Sequence, residues 1–343
     1  MMNWHYEHGL VLLSSLRAAD AYGDDSVFQW VYSMYDPLIK KDGTITAYRE
    51  GEYNLDMINA GRNLFALADR SGEERFELAA DRLNSQLVNQ PGCKNGVFWH
   101  KEIYPWQIWL DGLYMEGPFN IEYSKRHGNE EEINDVLKQV ITTYNVMKDP
   151  ETGLLYHCYD ESRGMKWSDD ITGLSPHFWS RSIGWYLMAI MDDLDLISSS
   201  HPYRNEIEDI FSSVCTALLP FQDESGMWYQ VTDEGGREGN YLETSGSAMF
   251  TCAYLKGARL GILSPSFRDR GLKALEGIKE RYLTEENGEY HLGGICSVAG
   301  LGGNPYRDGS FRYYISEKVV QDDFKGVGPF IQACIEAEHP SVR

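Results

Sequence analysis

Residues 95–100 read NGVFWH and residues 152–157 read TGLLYH: a polar residue, glycine, an apolar residue, then aromatic positions closing on histidine. The signature returns as DGTITAY at 42–48, SGMWYQ at 225–230 and NGEYH at 287–291. Its glycines stand at 43, 96, 153, 226 and 288, which sets the intervals at 53, 57, 73 and 62 residues. Periods of this size mark a repeat architecture.

Working outward, an amphipathic helix precedes the signatures. Ile133, Val136, Leu137, Val140, Ile141 and Tyr144 recur at spacings of three and four before the third, the stripe of a helix with one buried face. Ile207, Ile210, Phe211, Val214 and Leu218 do the same before the fourth, and Leu272, Leu275, Ile278 and Tyr282 before the fifth. After each signature comes a more apolar helix, near 54–69, 106–124, 177–197, 242–261 and 322–337, and another near 5–22 opens the chain. Helices apolar on more than one face are buried. The pattern therefore predicts six inner helices and five outer ones, near 26–38, 73–89, 129–147, 202–220 and 265–283. Strand signals are few and confined to the signature loops. The simplest closed solution is one all-α domain over 1–343, an (α/α)6 toroid of six helical hairpins. It is one outer helix short, and the vacant place is just before Trp4. The expectation is that the chain starts late relative to its relatives, its first outer helix missing.

Composition narrows the function. The 343 residues carry 31 Lys+Arg against 52 Asp+Glu, a net charge of −21. That excludes the basic face a nucleic-acid binder needs and disfavours adsorption to an anionic membrane. No run approaches the roughly 20 apolar residues of a membrane helix, and MMNWHYEHGLVLLSS lacks the basic-then-apolar layout of a signal peptide. The cytoplasm is the expected compartment, with the periplasm as the alternative. Six cysteines form no C-x-x-C pair, and Cys215, Cys252 and Cys334 fall in apolar helical runs, where free thiols pack as small hydrophobes. The 9 Trp and 22 Tyr are the excess that matters: aromatic faces form platforms for sugar rings.

In a toroid of this kind each signature loop feeds the N-terminus of an inner helix, and the N-termini gather at one mouth, where unpaired N–H groups suit an anionic ligand. Asp56 stands in the first turn of the second inner helix. Asp111 stands about two turns into the third, flanked by Trp106, Trp109 and Tyr114, an aromatic setting costly for an unpartnered acid. His100 and His157 close matching signatures. Trp179, Arg181 and Trp185 open the fourth inner helix; Arg181 is placed to fork onto a carboxylate and the tryptophans to stack on a sugar. The glycine-rich AGLGGNPYRDG at 299–309 lacks the phosphate-loop Lys-Ser/Thr pattern and reads as a loop near the mouth. No zinc spacing, EF-hand or G-x-S-x-G occurs.

WHYEHGL (4–10), LDMINAGR (55–62), WLDGLYMEGPF (109–119), WSRSIGWYLMAIMD (179–192), ETSGSAMF (243–250) and DDFKGVGPF (322–330) together resemble glycoside hydrolase family 105, the unsaturated rhamnogalacturonyl hydrolases, relatives of the family 88 unsaturated glucuronyl hydrolases. The resemblance implies the same (α/α)6 barrel, with no metal and no organic cofactor. It implies Asp111 as the catalytic acid/base, Asp56 as its partner carboxylate, and His100, His157, Trp179, Arg181, Trp185, Tyr6 and Trp4 as substrate-site residues. The reaction implied is hydration of the C4=C5 enol ether of a 4,5-unsaturated uronate, after which the hemiketal opens and the next sugar, rhamnose in a rhamnogalacturonan fragment, leaves. No carboxylate attacks the anomeric carbon, so the carboxylate-separation rule of ordinary glycosidases does not apply. Asp111 must then be protonated near neutral pH, which burial and the charge of Asp56 favour. The alternatives are an inverting glycosidase on saturated oligosaccharides, with Asp56 as base, and a non-catalytic sugar-binding toroid. The expected partner is a small anionic oligosaccharide, and the expected state a monomer or weak homodimer. The charge of −21 opposes such a ligand, so recognition must be local, through Arg181, the two histidines and the helix N-termini.

Overall fold

The protein is described by a computed structural model over residues 2–339. Inner and outer helices alternate along the chain. They run α1 (Tyr6–Tyr22), α2 (Asp25–Tyr35), the pair α3 (Asp56–Asn59) and α4 (Arg62–Ser71), α5 (Glu74–Val88), α6 (Leu110–His127), α7 (Glu130–Met147) and α8 (Ser180–Leu196). They continue as α9 (Arg204–Leu218), α10 (Thr244–Arg259), α11 (Ser266–Tyr282), the short α12 (Phe311–Ser316) and α13 (Phe324–Glu338). The inner members contact one another in a closed cycle, α1 to α3–α4, then α6, α8, α10, α13 and back to α1. Among the described residues five outer helices back them (α2, α5, α7, α9 and α11), the number counted from sequence.

The local causes are legible. Each signature glycine adopts the left-handed conformation: φ is 76° at Gly43, 89° at Gly96, 76° at Gly153, 92° at Gly226 and 84° at Gly288. A side chain there is strained, and at Gly43 and Gly226 an added Cβ would also fall 2.5 Å from Leu78 and 2.6 Å from the Lys273 carbonyl, in each case on the next outer helix along the chain. The signatures are thus tight turns, and those at Gly43, Gly153 and Gly226 fold against the outer layer. Asp24 caps α2 at Ser26 N (3.0 Å), and Asn129 caps α7 at Glu132 N (3.3 Å). Glu130, Glu131 and Glu132 then occupy the first turn of α7, where the helix dipole favours acids.

Three expectations are corrected. The second inner helix is broken at Ala60–Gly61, because Gly61 N bonds Ile58 O at 2.8 Å and tightens the turn. The third begins at Leu110 rather than near 106, because Gln107–Trp109 (β1) is extended and pairs antiparallel with Cys158–Asp160 (β2). Strands are not confined to the signature loops. The hairpin of Leu283–Glu286 (β3) and Glu289–Leu292 (β4) wraps the fifth signature, but Ile295–Cys296 (β5) pairs with Val319–Val320 (β6) beyond it. All six cysteines are unpaired, and five are buried. No helix among the described residues is long and apolar enough to cross a membrane.

At the mouth opposite the inner-helix N-termini, one carboxylate ties four inner helices together. Asp192 of α8, whose side chain is 2% exposed, meets Arg62 of α4 at 2.6 Å, Arg17 of α1 at 2.9 Å and Lys256 of α10 at 3.6 Å. Burial favours the neutral acid, but the three cations outweigh it and hold Asp192 well below the usual carboxylate range. Removing the carboxylate leaves Arg62, whose side chain is 8% exposed, without a counter-charge, while Lys256 keeps Asp195 at 2.5 Å. Asp192→Ala should therefore lose about 3–5 kcal/mol of stability in urea unfolding; a loss under about 1 kcal/mol would show that the cluster does not anchor the ring.

Candidate active site

The first turns of the inner helices carry the polar and charged groups of the N-terminal mouth. Glu7, Asp111, Arg181, Ser245 and Lys325 are each the second residue of α1, α6, α8, α10 and α13, and Asp56 is the first residue of α3. Asp111 therefore lies in the first turn of its helix, not two turns in as the spacing suggested. α10 and α13 are capped by carboxylates: Glu243 accepts from Gly246 N at 2.7 Å and Asp323 from Lys325 N at 3.0 Å. α6 and α8 are not. Trp109 and Trp179 fill their cap positions and offer no side-chain acceptor, which leaves two positive helix ends open to an anion.

The closing residues of three successive signatures serve the helix before them. The carbonyls of His100, His157 and Gln230 accept from Leu55 N (3.1 Å), Leu110 N (3.3 Å) and Ser180 N (3.1 Å). Their side chains then face that helix's opening turn. His100 Nε2 meets Asp56 Oδ1 at 3.0 Å, His157 Nε2 stands 3.7 Å from Asp111 Oδ2, and Gln230 Oε1 accepts from Trp179 Nε1 at 3.0 Å. Gly112 makes room, since a Cβ there would sit 3.1 Å from His100 Nδ1. The structure thus brings both aspartates and both histidines to one mouth.

The two aspartates have opposite environments. Asp56 spends one oxygen on His100 and the other on Lys101 Nζ at 2.5 Å. Burial opposes its charge, but Lys101 and His100 overcome it and hold the group ionised, far below the usual range. Asp111 Oδ2 is buried with no hydrogen-bond partner. Burial pushes Asp111 up to about 6; His100 and Arg181 pull against this, and the charge of Asp56 adds to it. One carboxylate is fixed in its charged form, and the other is poised to exchange a proton near neutrality. His157 is fully buried, and burial together with Arg181, His100 and Arg307 keeps its imidazole neutral.

Arg181 does not fork onto a carboxylate. Its guanidinium donates to Cys296 O, to Ser245 Oγ at 3.2 Å and to Ser297 O at 3.5 Å, and lies 4.6 Å from the Trp179 ring. It is a buried cation held by neutral oxygens, with Nε left unpartnered. Tyr6 is half-buried, and its phenol feels the charges of Asp56, Glu7, Arg181 and Asp111. Trp179 and Trp185 are 1% exposed, and Trp185 stacks on Tyr114 with centroids 5.0 Å apart. Trp4 donates Nε1 to Met57 O at 2.8 Å and meets Tyr35 edge-on, so it supports the α3 backbone beside Asp56. No group of three His, Cys, Asp or Glu side chains among the described residues is arranged to hold a metal ion.

Sequence reasoning missed Lys101, Gln230 and Tyr314. Gln230 was recoverable, since it closes the fourth signature where His100 and His157 close the second and third. Lys101 directly follows His100 but carries no motif. Tyr314 sits on α12, which no pattern announced. The split between the aspartates is measurable in protein labelled with 13C at aspartate carboxyls. One resonance, absent in Asp111→Asn, should titrate near the Asp111 value of about 6, while that of Asp56 stays ionised; an Asp111 that is already ionised below pH 4 would contradict the assignment.

The sequence profile described as Glycosyl Hydrolase Family 88 matches residues 1–340. A solved glycoside hydrolase from family 105 of C. acetobutylicum ATCC 824 superposes with a TM-score of 0.96 at 46% identity, covering 98% of this chain and 94% of its own. Protein Atu3128 of Agrobacterium fabrum is 40% identical over 227 residues, 64% of this chain and 97% of that protein. The unsaturated rhamnogalacturonyl hydrolase YesR of Bacillus subtilis is 28% identical over 213 residues, 60% of this chain and 59% of that one.

Proposed function

Because the chain belongs to Glycosyl Hydrolase Family 88 and to glycoside hydrolase family 105, we propose that this glycoside hydrolase removes a 4,5-unsaturated uronic acid from the non-reducing end of lyase-generated oligosaccharides. The observation that carries the reading is the division of labour between Asp111 and Asp56. Asp111 in its acid form gives its proton to C4, using the C4=C5 electron pair, and C5 acquires oxocarbenium character stabilised by the ring oxygen. Water adds to C5 and returns a proton to the Asp111 carboxylate. The hemiketal opens and expels the neighbouring sugar with its glycosidic oxygen. Asp56 stays ionised throughout, raises the proton affinity of Asp111 and disperses positive charge at C5.

The uronate carboxylate is assigned to the cationic side of the mouth, where Arg181 has no carboxylate partner and the ends of α6 and α8 are uncapped. This local field offsets the net charge of −21. The leaving sugar is assigned as rhamnose, a choice supported by the name of the B. subtilis relative. An inverting mechanism on saturated sugars would need Asp56 as base, and both its oxygens are engaged by His100 and Lys101. A passive sugar-binding toroid would present its tryptophans, and Trp179 and Trp185 are buried.

The test is a panel of unsaturated disaccharides, followed by loss of the ultraviolet absorbance of the conjugated double bond. The unsaturated galacturonyl-rhamnose should be consumed fastest, with saturated aryl glycosides untouched. Asp111→Asn should lose at least about 10³-fold in kcat while binding substrate nearly as well. Because the acid form acts, kcat/KM should fall as pH rises through the Asp111 value of about 6. Near-wild-type turnover by Asp111→Asn would overturn the assignment.

A further inference from the structure

α12 places Tyr314 behind His157, on the side away from Asp111. Tyr314 Oη lies 2.8 Å from His157 Nδ1, while His157 Nε2 faces Asp111 Oδ2 at 3.7 Å with neither atom otherwise bonded. Both rings are fully buried. Tyr314 is itself fixed: its carbonyl accepts from Gln230 Nε2 at 3.1 Å and its ring stacks against Trp179. We propose that Tyr314 is a positioning residue whose phenol donates to His157 Nδ1, locks the imidazole as the neutral Nε2–H tautomer and aims that N–H at Asp111. The inference rests on the reading of Asp111 as the proton donor.

The physical argument is one of hydrogen-bond accounting. A neutral imidazole has one N–H and one lone pair. Tyr314 remains a phenol, since burial raises its pKa well above the usual value, and its buried O–H needs an acceptor. His157 Nδ1 is the acceptor within reach. The opposite tautomer would strand the phenol proton and, once Asp111 has given up its own proton, would set the His157 lone pair against the Asp111 carboxylate, two acceptors face to face. With the proton on Nε2, His157 gives the carboxylate formed after C4 protonation a donor and adds no charge. Neutrality matters, because an imidazolium there would join His100 and Arg181 in pulling the proton off Asp111. The titratable groups around Asp111 are Asp56 from α3, His100 and Lys101 at the end of the second signature loop, Arg181 from α8, Tyr6 from α1, the Cys158 thiol of β2, the Tyr314 phenol and neutral His157.

Two measurements separate this proposal from the assignment beneath it. In 15N NMR of imidazole-labelled enzyme, His157 should show Nε2 protonated and Nδ1 bare in the wild type, and should lose that preference in Tyr314→Phe. Nδ1 protonated in the wild type, or an imidazolium, would overturn the proposal whatever the role of Asp111. Kinetically, Tyr314→Phe should lower kcat by about tenfold, the worth of one charge-assisted hydrogen bond, and should move the alkaline limb of the pH profile to higher pH with little change in KM. An unmoved limb with unchanged kcat would reduce Tyr314 to packing. A normal His157 tautomer combined with full activity of Asp111→Asn would overturn only the underlying reading.

Discussion

Closing six inner helices into a ring dictates where the rest of this molecule can put its chemistry. Parallel inner helices must present all their N-termini at one mouth, so residues far apart in sequence but equivalent in their repeats become neighbours. Glu7, Asp111, Arg181, Ser245 and Lys325 share a position in five helices. The other mouth supplies the mechanical counterpart, with Asp192 gathering cations from three further helices. A buried ion cluster of this kind is weak as net stabilisation and strict as geometry, which suits a ring whose opposite end must hold side chains to fractions of an ångström.

The mouth then works by contrast. Two aspartates from adjacent repeats see the same low-dielectric pocket, and the loops decide their fates. The second signature loop brings the His100 ring and the Lys101 ammonium to Asp56, whereas the third brings to Asp111 a single imidazole that burial keeps neutral. Pairs of titratable groups driven apart in this way mark acid and base assignments. The anionic substrate proposed here meets a protein of net charge −21, and the open ends of α6 and α8 with Arg181 form the local exception.

Much of this was legible in the sequence because it repeats. Glycines that require a left-handed turn, and helices with striped or all-round apolar faces, are local signals, and they located five turns and eleven inner and outer helices. The matched histidines marked the two loops that face Asp56 and Asp111. What was hidden depends on contacts between distant segments. Trp109 is extended because it pairs with Cys158, which moved Asp111 to the first turn of its helix. Arg181 finds the carbonyl of Cys296, 115 residues away, in place of a carboxylate. Tyr314 reaches His157 across 157 residues from a six-residue helix with no periodicity to betray it.

In the proposed reaction, chemistry occurs at C4 and C5 of the uronate and not at its anomeric carbon. The most direct measurement uses an unsaturated uronate C-glycoside, in which carbon replaces the glycosidic oxygen and no hydrolysis is possible. The enzyme should still bleach the double-bond absorbance of this compound and yield the hydrated product, and Asp111→Asn should lose this ability. A C-glycoside that binds at the active site with its absorbance unchanged, while the matching O-glycoside is cleaved, would contradict the proposed reaction.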